Sequence, residues 1–259
     1  MNKNKYNFII STIKQAGDIL IDSREKYFSV SSKDGDSRNI ITSVDLEVNN
    51  FLEKMIHSTY PDEIIFSEET EDVITTKTGF WSLDPIDGTS NFARNIPHFA
   101  VVISYIENNE PVVGAVYNPI TRELFSFEKN IGAYLNEKKI SVSDVSTLKE
   151  SYILLHIGRS DDVREWGIKL QRILLGKAKK TINLGSSALD LCFLAAGRVD
   201  AVIYGTLTTK DIAAAIAIVR EAGGEVYDIS GIPVSINKEP QQIIATTNRE
   251  LFKEISQLY

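Results

Sequence analysis

The residues of this chain that are best suited to chemistry are acidic side chains at the ends of apolar runs. Glu68 ends the run IIFSE, Asp84 ends GFWSLD, Asp87 follows three residues later, and Asp211 begins DIAAAIAIVREAGG. Hard divalent cations such as Mg2+ bind carboxylate, carbonyl and water oxygens. A strand that ends in a turn offers two of these carboxylates together with the intervening carbonyl of Ile86, and Glu68 and Asp211 are candidates for a further ligand. The pattern therefore predicts a magnesium site.

The segment DPIDGTSNF continues beyond the acids with residues that suit an anion. Gly88, Thr89 and Ser90 stand where a helix can begin. Backbone N–H groups at the start of a helix bind phosphate, and glycine allows close approach of the backbone. Metal ions beside such a helix start indicate phosphate ester hydrolysis, in which one ion activates water and another stabilises the leaving oxygen.

Each of these acids also has a purely structural interpretation. Asp84 with Pro85 can open a turn, and Asp87 with Gly88 is a common turn pair. Asp211 can be an ordinary helix N-cap, favoured by the helix dipole. The two glutamates after the run IIFS can be surface charge. Both interpretations stay open on the pattern alone, since short motifs often match by chance.

The composition argues against several classes of partner. The 259 residues are 43% hydrophobic and 24% charged, as in ordinary globular proteins. A net charge of -7 argues against binding to nucleic acid, which needs a basic surface, and against binding to an anionic membrane. The same charge repels phosphate, so we expect any anion site to be local and assisted by a metal ion.

Cysteine and histidine are too scarce to indicate a soft-metal site. Cys192 is the single cysteine, so no disulfide forms within the chain, and a buried structural thiol is expected. His57, His98 and His156 are isolated in the sequence and indicate neither zinc nor a phosphohistidine. The N-terminal run lacks the features of a signal peptide, and no stretch approaches the roughly 20 apolar residues of a membrane span. These features predict a soluble cytoplasmic protein.

Two helices and two short strands are predicted in the first part of the chain. Apolar positions at helical spacing predict helices over residues 4–28 and from Asp45 to just before Pro61. The polar run SSKDGDSRN between them is predicted to be a mobile loop. EIIFSEE and GFWSL are predicted strands that run into the acids.

The rest of the chain changes its pattern twice. Over residues 99–143, β-rich runs separated by short turns predict an antiparallel meander. After Ser151, strands alternate with helices, one of which Asp211 opens, and this alternation predicts a sheet covered by helices. The predicted fold class is therefore α+β in residues 1–145, which hold the metal-binding loop, and α/β in residues 146–259.

Taken together, the motifs resemble the inositol monophosphatase family of magnesium-dependent, lithium-sensitive phosphatases. WSLDPIDGTSNF is similar to the first signature of that family, and KDIAAAIAIVREAGG is similar to the second. ITSVD, IIFSEE and GSSALDLCFLAAGRVDAVI resemble family segments before and between the signatures, in the same order. The resemblance spans most of the chain. It implies a layered αβαβα sandwich of the sugar phosphatase type and a homodimer.

The resemblance also implies ligands for two or three Mg2+ ions per site. Glu68, Asp84 and the carbonyl of Ile86 would hold the first ion. Asp84, Asp87 and Asp211 would hold the second, and Glu68 would also help to hold a weaker third ion.

Water and phosphate have implied partners as well. Thr89, paired with Asp45, would orient and deprotonate the attacking water, and Glu68 would stand beside that water. Gly88 and Thr89 would present backbone N–H groups to the phosphate. Lys33 matches a family lysine in a mobile loop that closes near the metal ions, although it can equally be a solvated loop charge.

Two departures from the family leave the substrate open. Lys210 stands where the second signature usually has tryptophan, and Tyr204 stands where typical members have a glutamate that contacts inositol hydroxyls. A tyrosine cannot accept hydrogen bonds from two hydroxyls as a carboxylate does. Lys210 can add positive charge near a second phosphate or point to solvent. Asp87 and Ser187 match substrate-contacting positions, although Ser187 can also be a helix N-cap.

The expected function is that of a magnesium-dependent phosphomonoesterase of inositol monophosphate or a related sugar or polyol phosphate, acting through metal-activated water. A fructose-1,6-bisphosphatase is an alternative, with Lys210 or Arg159 near the second phosphate. A 3'(2'),5'-bisphosphate nucleotidase fits less well, because those relatives usually continue differently after DGT. A catalytically degenerate metal-binding relative is the non-enzymatic alternative, and the intact Thr89–Asp45 pair argues against it.

Overall fold

The computed structural model describes residues 2–24, 26, 28–33, 36–69, 79–158, 160–209, 211–236 and 240–259. The helices are α1 (Asn2–Arg24), α2 (Ser43–Thr59), α3 (Thr89–Ala93), α4 (Asp161–Lys177), α5 (Ser187–Ala195), α6 (Ala213–Glu221) and α7 (Arg249–Ser256). The strands are β1 (Val30–Lys33), β2 (Asp36–Thr42), β3 (Ile64–Ser67), β4 (Gly79–Asp87), β5 (Ala100–Glu107), β6 (Glu110–Asn118), β7 (Glu123–Glu128), β8 (Gly132–Leu135), β9 (Lys138–Lys139), β10 (Tyr152–His156), β11 (Lys180–Ile182), β12 (Ala201–Thr208), β13 (Glu225–Asp228) and β14 (Pro240–Thr246). Within these ranges, no helix is long and apolar enough to span a membrane.

The described strands form three sheets. A seven-stranded sheet has the order β3-β4-β5-β6-β7-β8-β9, a five-stranded sheet has the order β11-β10-β12-β14-β13, and β1 pairs with β2. Strands β5 to β9 are antiparallel neighbours, which confirms the meander predicted for residues 99–143. In the five-stranded sheet, β10 pairs in parallel with β11 and β12, and β14 is antiparallel to both of its neighbours.

Helices cover both large sheets and produce five layers. Helices α1 and α2 pack on one face of the seven-stranded sheet, where Leu52 meets Ile103 in a common apolar cluster. Helices α5 and α6 fill the space between the sheets, and Ile216 belongs to a cluster that also contains Val102. Helices α4 and α7 cover the outer face of the five-stranded sheet through residues such as Leu170. The αβαβα sandwich expected from the sequence is therefore confirmed.

Strand β5 shows why the sheet strands have unbroken apolar sequences. Val101 and Ile103 belong to the cluster under α1 and α2, whereas Ala100 and Val102 belong to the cluster under α5 and α6. Successive side chains of a strand point to opposite faces, so both faces of β5 are covered by helices. A strand covered on both faces has a continuous apolar sequence in place of strict alternation.

Two predictions for the N-terminal part are wrong. The run SSKDGDSRN is predicted as a loop, whereas Val30–Lys33 and Asp36–Thr42 pair as antiparallel strands. Ser31 and Ser32 are exposed, so these strands lack the apolar alternation that identifies a strand in sequence. The first helix ends at Arg24 and not at residue 28.

The division of the chain at residues 145 and 146 stays a prediction. The seven-stranded sheet uses residues 64–139, and the five-stranded sheet uses residues 152–246. The central apolar cluster contains residues from both sides of this boundary, since α5 and α6 contact both sheets.

Candidate active site

A cavity of about 790 Å3 lies where the end of β4, the start of α5 and the end of β12 meet. Nine of the residues predicted from sequence line it: Glu68, Asp84, Ile86, Asp87, Gly88, Thr89, Ser187, Tyr204 and Asp211. Asp45 does not line the cavity but contacts Thr89 from behind it. Lys210 and Arg159 lie outside the described residues, and so does the side chain of Lys33.

Strand β4 carries two of the predicted acids. The sequence predicts a strand that ends before Asp84, whereas β4 continues to Asp87 with an irregular register against β5 between these two residues. Residues three apart in a regular strand point to opposite faces. A local irregularity re-aims side chains, and it allows the buried carboxylates of Asp84 and Asp87 to reach the same cavity.

Gly88 turns the chain from β4 into α3. Its φ is +89°, in the left-handed region that favours glycine. A Cβ at this position would lie 3.1 Å from the carbonyl oxygen of His98 and 3.2 Å from Cβ of Ser186. The backbone N–H of Phe92 donates to the carbonyl of Gly88, so α3 begins directly after the glycine, as predicted. Both the backbone angle and the close approach to the start of α5 require glycine here.

Asp84 is a buried carboxylate with other acids around it. Its Oδ1 has no hydrogen-bond partner among the described residues, although buried polar atoms normally have one. Burial raises the pKa of Asp84 well above its ordinary value, and four further carboxylates raise it more: Glu68, Asp87, Asp211 and Asp45. The orphaned oxygen and a donor set made of oxygen atoms fit a hard divalent cation such as Mg2+.

The acids share the cavity without converging on one point. Within the described ranges, no three carboxylate, imidazole or thiolate side chains are arranged to hold a metal ion. Glu68 follows β3 and is exposed. Asp211 lies in the turn before α6, where Ile212 is the N-cap, so the prediction that Asp211 opens or caps this helix is wrong. The assignment of these acids as metal ligands stays a prediction.

Asp87 joins the end of β4 to the start of α5. Its carboxylate accepts hydrogen bonds from the hydroxyl of Ser186, from N of Ser187 at 3.1 Å, from Oγ of Ser187 at 2.5 Å and from N of Ala188 at 3.0 Å. Burial raises the pKa of Asp87, and these hydrogen bonds oppose the rise. Ser186 is the N-cap and Ser187 the first helical residue, so the alternative interpretation of Ser187 as the N-cap is wrong. The side chain of Ser186 does not cap α5. Asp87 instead accepts the hydrogen bonds of the first free N–H groups of this helix.

The Thr89 hydroxyl has two acceptors within reach. Its Oγ1 lies 2.9 Å from the carbonyl oxygen of Ile86 and 3.3 Å from Oδ1 of Asp45. The other oxygen of Asp45 accepts from N of Thr42 at 2.8 Å and from Oγ1 of Thr42 at 2.5 Å. A hydroxyl has one proton to donate, so Thr89 donates to one acceptor at a time. The predicted Thr89–Asp45 pair is present, with the Ile86 carbonyl as a competing acceptor.

Tyr204 belongs to a hydrogen-bonded group that sequence reasoning missed. Its hydroxyl donates to Oδ2 of Asp190 at 2.6 Å, and Oδ1 of Asp190 lies 3.0 Å from Nε2 of His98. The ring of His156 stacks on that of Tyr204 with centroids 5.1 Å apart. The available signal was Asp190 itself, an acid inside the apolar run ALDLCFLAA. Cys192 in the same run is buried, and burial raises the pKa of its thiol well above the ordinary value, as expected of a structural thiol.

Polar side chains from other elements complete the cavity. Arg164 on α4 and Asn183 before α5 line it, and neither is a sequence-predicted site residue. The side-chain amide of Asn91 donates to the carbonyl oxygens of His98 and Leu184 at 2.8 and 2.9 Å, which ties α3 to the segment before α5. Arg164 adds a positive charge to the lining of this acidic cavity.

Comparison with known proteins supports the same assignment over the whole chain. The model of the inositol monophosphatase family matches residues 1–258. The chain is 33% identical over 252 residues to the Nus factor SuhB of Xylella fastidiosa, covering 95% of this chain and 90% of that protein. It is 32% identical over 228 residues to the fructose-1,6-bisphosphatase/inositol-1-monophosphatase of Thermotoga maritima, covering 88% and 86% of the two chains.

Solved structures agree with the sequence comparison. The extragenic suppressor protein SuhB from Bartonella henselae superposes with a TM-score of 0.90 at 29% identity, over 97% of this chain and 96% of that chain. The similarity to known members therefore extends over the whole chain. It agrees with the five layers, the two signatures in sequence order and the acid-lined cavity at the end of β4. The chain belongs to the inositol monophosphatase family.

Proposed function

We propose that this protein is a magnesium-dependent phosphomonoesterase of inositol monophosphate or a related sugar or polyol phosphate. Membership of the inositol monophosphatase family supports phosphate ester hydrolysis. The observation that carries the proposal is the buried Oδ1 of Asp84, which has no hydrogen-bond partner among the described residues and stands among other acids. A cation satisfies that oxygen and offsets the repulsion between the carboxylates.

The acids of the cavity would hold two or three Mg2+ ions. The proposed ligands are Glu68, Asp84, Asp87, Asp211 and the carbonyl oxygen of Ile86. Bound Mg2+ lowers the pKa of water and stabilises negative charge on the leaving oxygen. Both carboxylate oxygens of Asp87 already accept hydrogen bonds from the start of α5. Asp87 therefore connects the proposed metal ligands to the helix that carries Ser187.

Thr89 and Asp45 are proposed to orient the attacking water and take its proton. If the carbonyl oxygen of Ile86 binds a cation, it is no longer the acceptor for the Thr89 hydroxyl. The remaining acceptor is Oδ1 of Asp45, at 3.3 Å. The hydroxyl oxygen can then accept a hydrogen bond from water while its own proton is directed to Asp45. Glu68 lines the same cavity. Backbone N–H groups of Gly88 and Thr89 are proposed to contact the phosphate.

Phosphate release tests this function directly. Purified protein is assayed with inositol 1-phosphate at fixed Mg2+ and again after chelation with EDTA. We expect hydrolysis with Mg2+, none with EDTA, and loss of turnover in Asp84→Asn while the variant stays folded. Hydrolysis that persists in EDTA excludes the metal-assisted mechanism.

A fructose-1,6-bisphosphatase is the second candidate, favoured by Arg164. Arg164 lines the cavity, and its guanidinium suits a second phosphate because it donates two parallel hydrogen bonds. The Thermotoga maritima relative carries both activities in its name. A panel of inositol 1-phosphate, fructose 1,6-bisphosphate and adenosine 3',5'-bisphosphate at equal Mg2+ ranks the candidates, and a strong preference for the last would favour a nucleotidase.

A role without catalysis is the remaining alternative. Several relatives are named Nus factor SuhB, which describes something other than phosphate ester hydrolysis. Inactivity on the whole panel together with retained Mg2+ binding would favour this alternative. A homodimer, lithium inhibition and a cytoplasmic location are proposed from the family and the sequence; light scattering, a lithium titration and cell fractionation test them.

A further inference from the structure

Two aromatic rings stack against each other on the wall of the cavity. His156 on β10 and Tyr204 on β12 are register partners in neighbouring parallel strands, so their side chains project from the same face of the sheet. Their ring planes differ by 16° and their centroids lie 5.1 Å apart, a stacked arrangement. Both residues line the cavity. Tyr204 is buried and His156 half-buried, so His156 offers the larger ring surface to a ligand.

The hydroxyl of Tyr204 is committed to another protein group. It donates to Oδ2 of Asp190 at 2.6 Å, and Asp190 is held from its other oxygen by His98. Burial raises the pKa of Tyr204 well above its ordinary value, and the charge of Asp190 raises it further, so the phenol keeps its proton. A phenol has a single proton to donate. Tyr204 therefore meets a ligand through ring carbon atoms and not through a donated hydrogen bond.

Apolar residues line the cavity together with polar ones such as Ser160, Arg164 and Thr206. Ile157, Ile168 and Leu207 line the same cavity. Among the described lining residues, the carboxylates are the four proposed metal ligands Glu68, Asp84, Asp87 and Asp211. The wall around Tyr204 thus lacks a carboxylate that could read a particular pattern of hydroxyls. A cavity of about 790 Å3 has room for a ring beside a phosphate group.

We propose that His156 and Tyr204 are specificity-determining residues that pack against a ring in the alcohol part of the substrate. The substrate class is phosphate esters of cyclic alcohols, selected by the face of the ring rather than by the pattern of its hydroxyls. Asp190 occupies the Tyr204 hydroxyl by accepting its hydrogen bond, which leaves the ring of Tyr204 as the part that meets a substrate. This inference rests on the proposed phosphatase function and concerns which esters the same site prefers.

The test compares cyclic with acyclic esters. The ratio of kcat/KM for inositol 1-phosphate, and for adenosine 2'-monophosphate, to kcat/KM for glycerol 2-phosphate is measured at saturating Mg2+. The variants are Tyr204→Phe, Tyr204→Leu and His156→Ala, with His57→Ala on exposed helix surface as the matched histidine control. Circular dichroism and thermal unfolding establish that each variant is folded.

We expect the ring and not the hydroxyl to control this ratio. Tyr204→Leu and His156→Ala should lower it by about three- to tenfold, the size expected for losing one ring contact. Tyr204→Phe should keep the ratio close to that of the unchanged protein, and so should His57→Ala. Should Tyr204→Leu fail to fold, His156→Ala alone decides, because His156 is only partly buried and lines the cavity.

Three outcomes would overturn the inference. An equal loss in Tyr204→Phe and Tyr204→Leu would mean that the hydroxyl contacts the substrate. An unchanged ratio in His156→Ala would mean that the ring pair is only packing. If the unaltered protein hydrolyses none of the three esters with Mg2+, the proposed function itself fails, which is distinct from active protein whose ratio does not respond.

Discussion

Asp87 at the end of β4 accepts two hydrogen bonds from Ser187 at the start of α5, one from the backbone N–H and one from the hydroxyl. Asp87, a predicted metal ligand, therefore also caps helix α5, whose first residue lines the cavity. The N–H groups at a helix start have no partner within the helix, and a carboxylate there is further stabilised by the helix dipole.

Replacing Asp87 should consequently affect stability as well as turnover. In Asp87→Ala, the N–H groups of Ser187 and Ala188 lose their acceptor, and we expect a loss of about 1–3 kcal/mol in the free energy of unfolding. Ser187→Ala removes only the hydroxyl donor, and we expect about 0.5–1.5 kcal/mol. Urea unfolding in EDTA measures both. Equal losses in the two variants would show that the backbone contacts contribute nothing.

Asp84 should destabilise the protein when no cation is bound. Its folded-state pKa lies well above the ordinary value of 3.8, so the folded state binds the proton more tightly than the unfolded state does. Stability therefore falls as the pH rises from about 3.8 through the folded-state pKa. In EDTA at neutral pH, Asp84→Asn should unfold at a higher temperature than the unaltered protein, because the substitution removes a buried charge that has like-charged neighbours.

Magnesium should reverse this order. A ligand that binds only the folded state stabilises it by mass action. Added Mg2+ should raise the midpoint temperature of thermal unfolding of the unaltered protein. The midpoint of Asp84→Asn should rise much less. Equal responses of the two proteins would remove Asp84 from the ligand set. NaCl at the same ionic strength separates Mg2+ binding from general screening of charge.

The Thr89 hydroxyl should matter for turnover rather than for binding. Thr89→Val keeps the shape of the side chain and removes the proton link to Asp45, and we expect kcat to fall about a hundredfold. Thr89→Ser keeps the hydroxyl and is the matched control, with a much smaller loss. Steady-state kinetics on inositol 1-phosphate measures both. Wild-type kcat in Thr89→Val would leave the Thr89–Asp45 pair with a structural role only.

Much of the candidate site was predictable because its residues follow one another in the chain. Asp84 to Thr89 form a single strand-to-helix segment, and the acids, the glycine and the hydroxyl are all visible there. The alternation of apolar runs likewise predicts the two sheets and the helices that cover them. The irregular register that directs Asp84 and Asp87 toward the same cavity was not visible in the sequence, since it arises from the pairing of β4 with β5.

The missed residues depend on contacts between distant parts of the chain. His98 and Asp190 are 92 residues apart, and His156 meets Tyr204 only because β10 and β12 are neighbours. Isolated histidines carry no local signal of this kind. Strands β1 and β2 were missed for a different reason, because the exposed serines of β1 and the polar sequence DSRN of β2 give no apolar alternation. Local pattern predicts elements, whereas the sheet order decides which polar groups meet.

Arg164 should discriminate between substrates with one phosphate and substrates with two. It is exposed on α4, lines the cavity and is the arginine that the described part of the cavity wall contains. Because a guanidinium pairs with phosphate through two hydrogen bonds, Arg164→Ala should raise KM for fructose 1,6-bisphosphate about tenfold. The change for inositol 1-phosphate, which has one phosphate at the metal side, should be much smaller. Arg172→Ala, exposed on the same helix but outside the cavity lining, is the matched control. Equal changes in KM for both substrates would show that Arg164 acts through the overall charge of the cavity and not through a second phosphate.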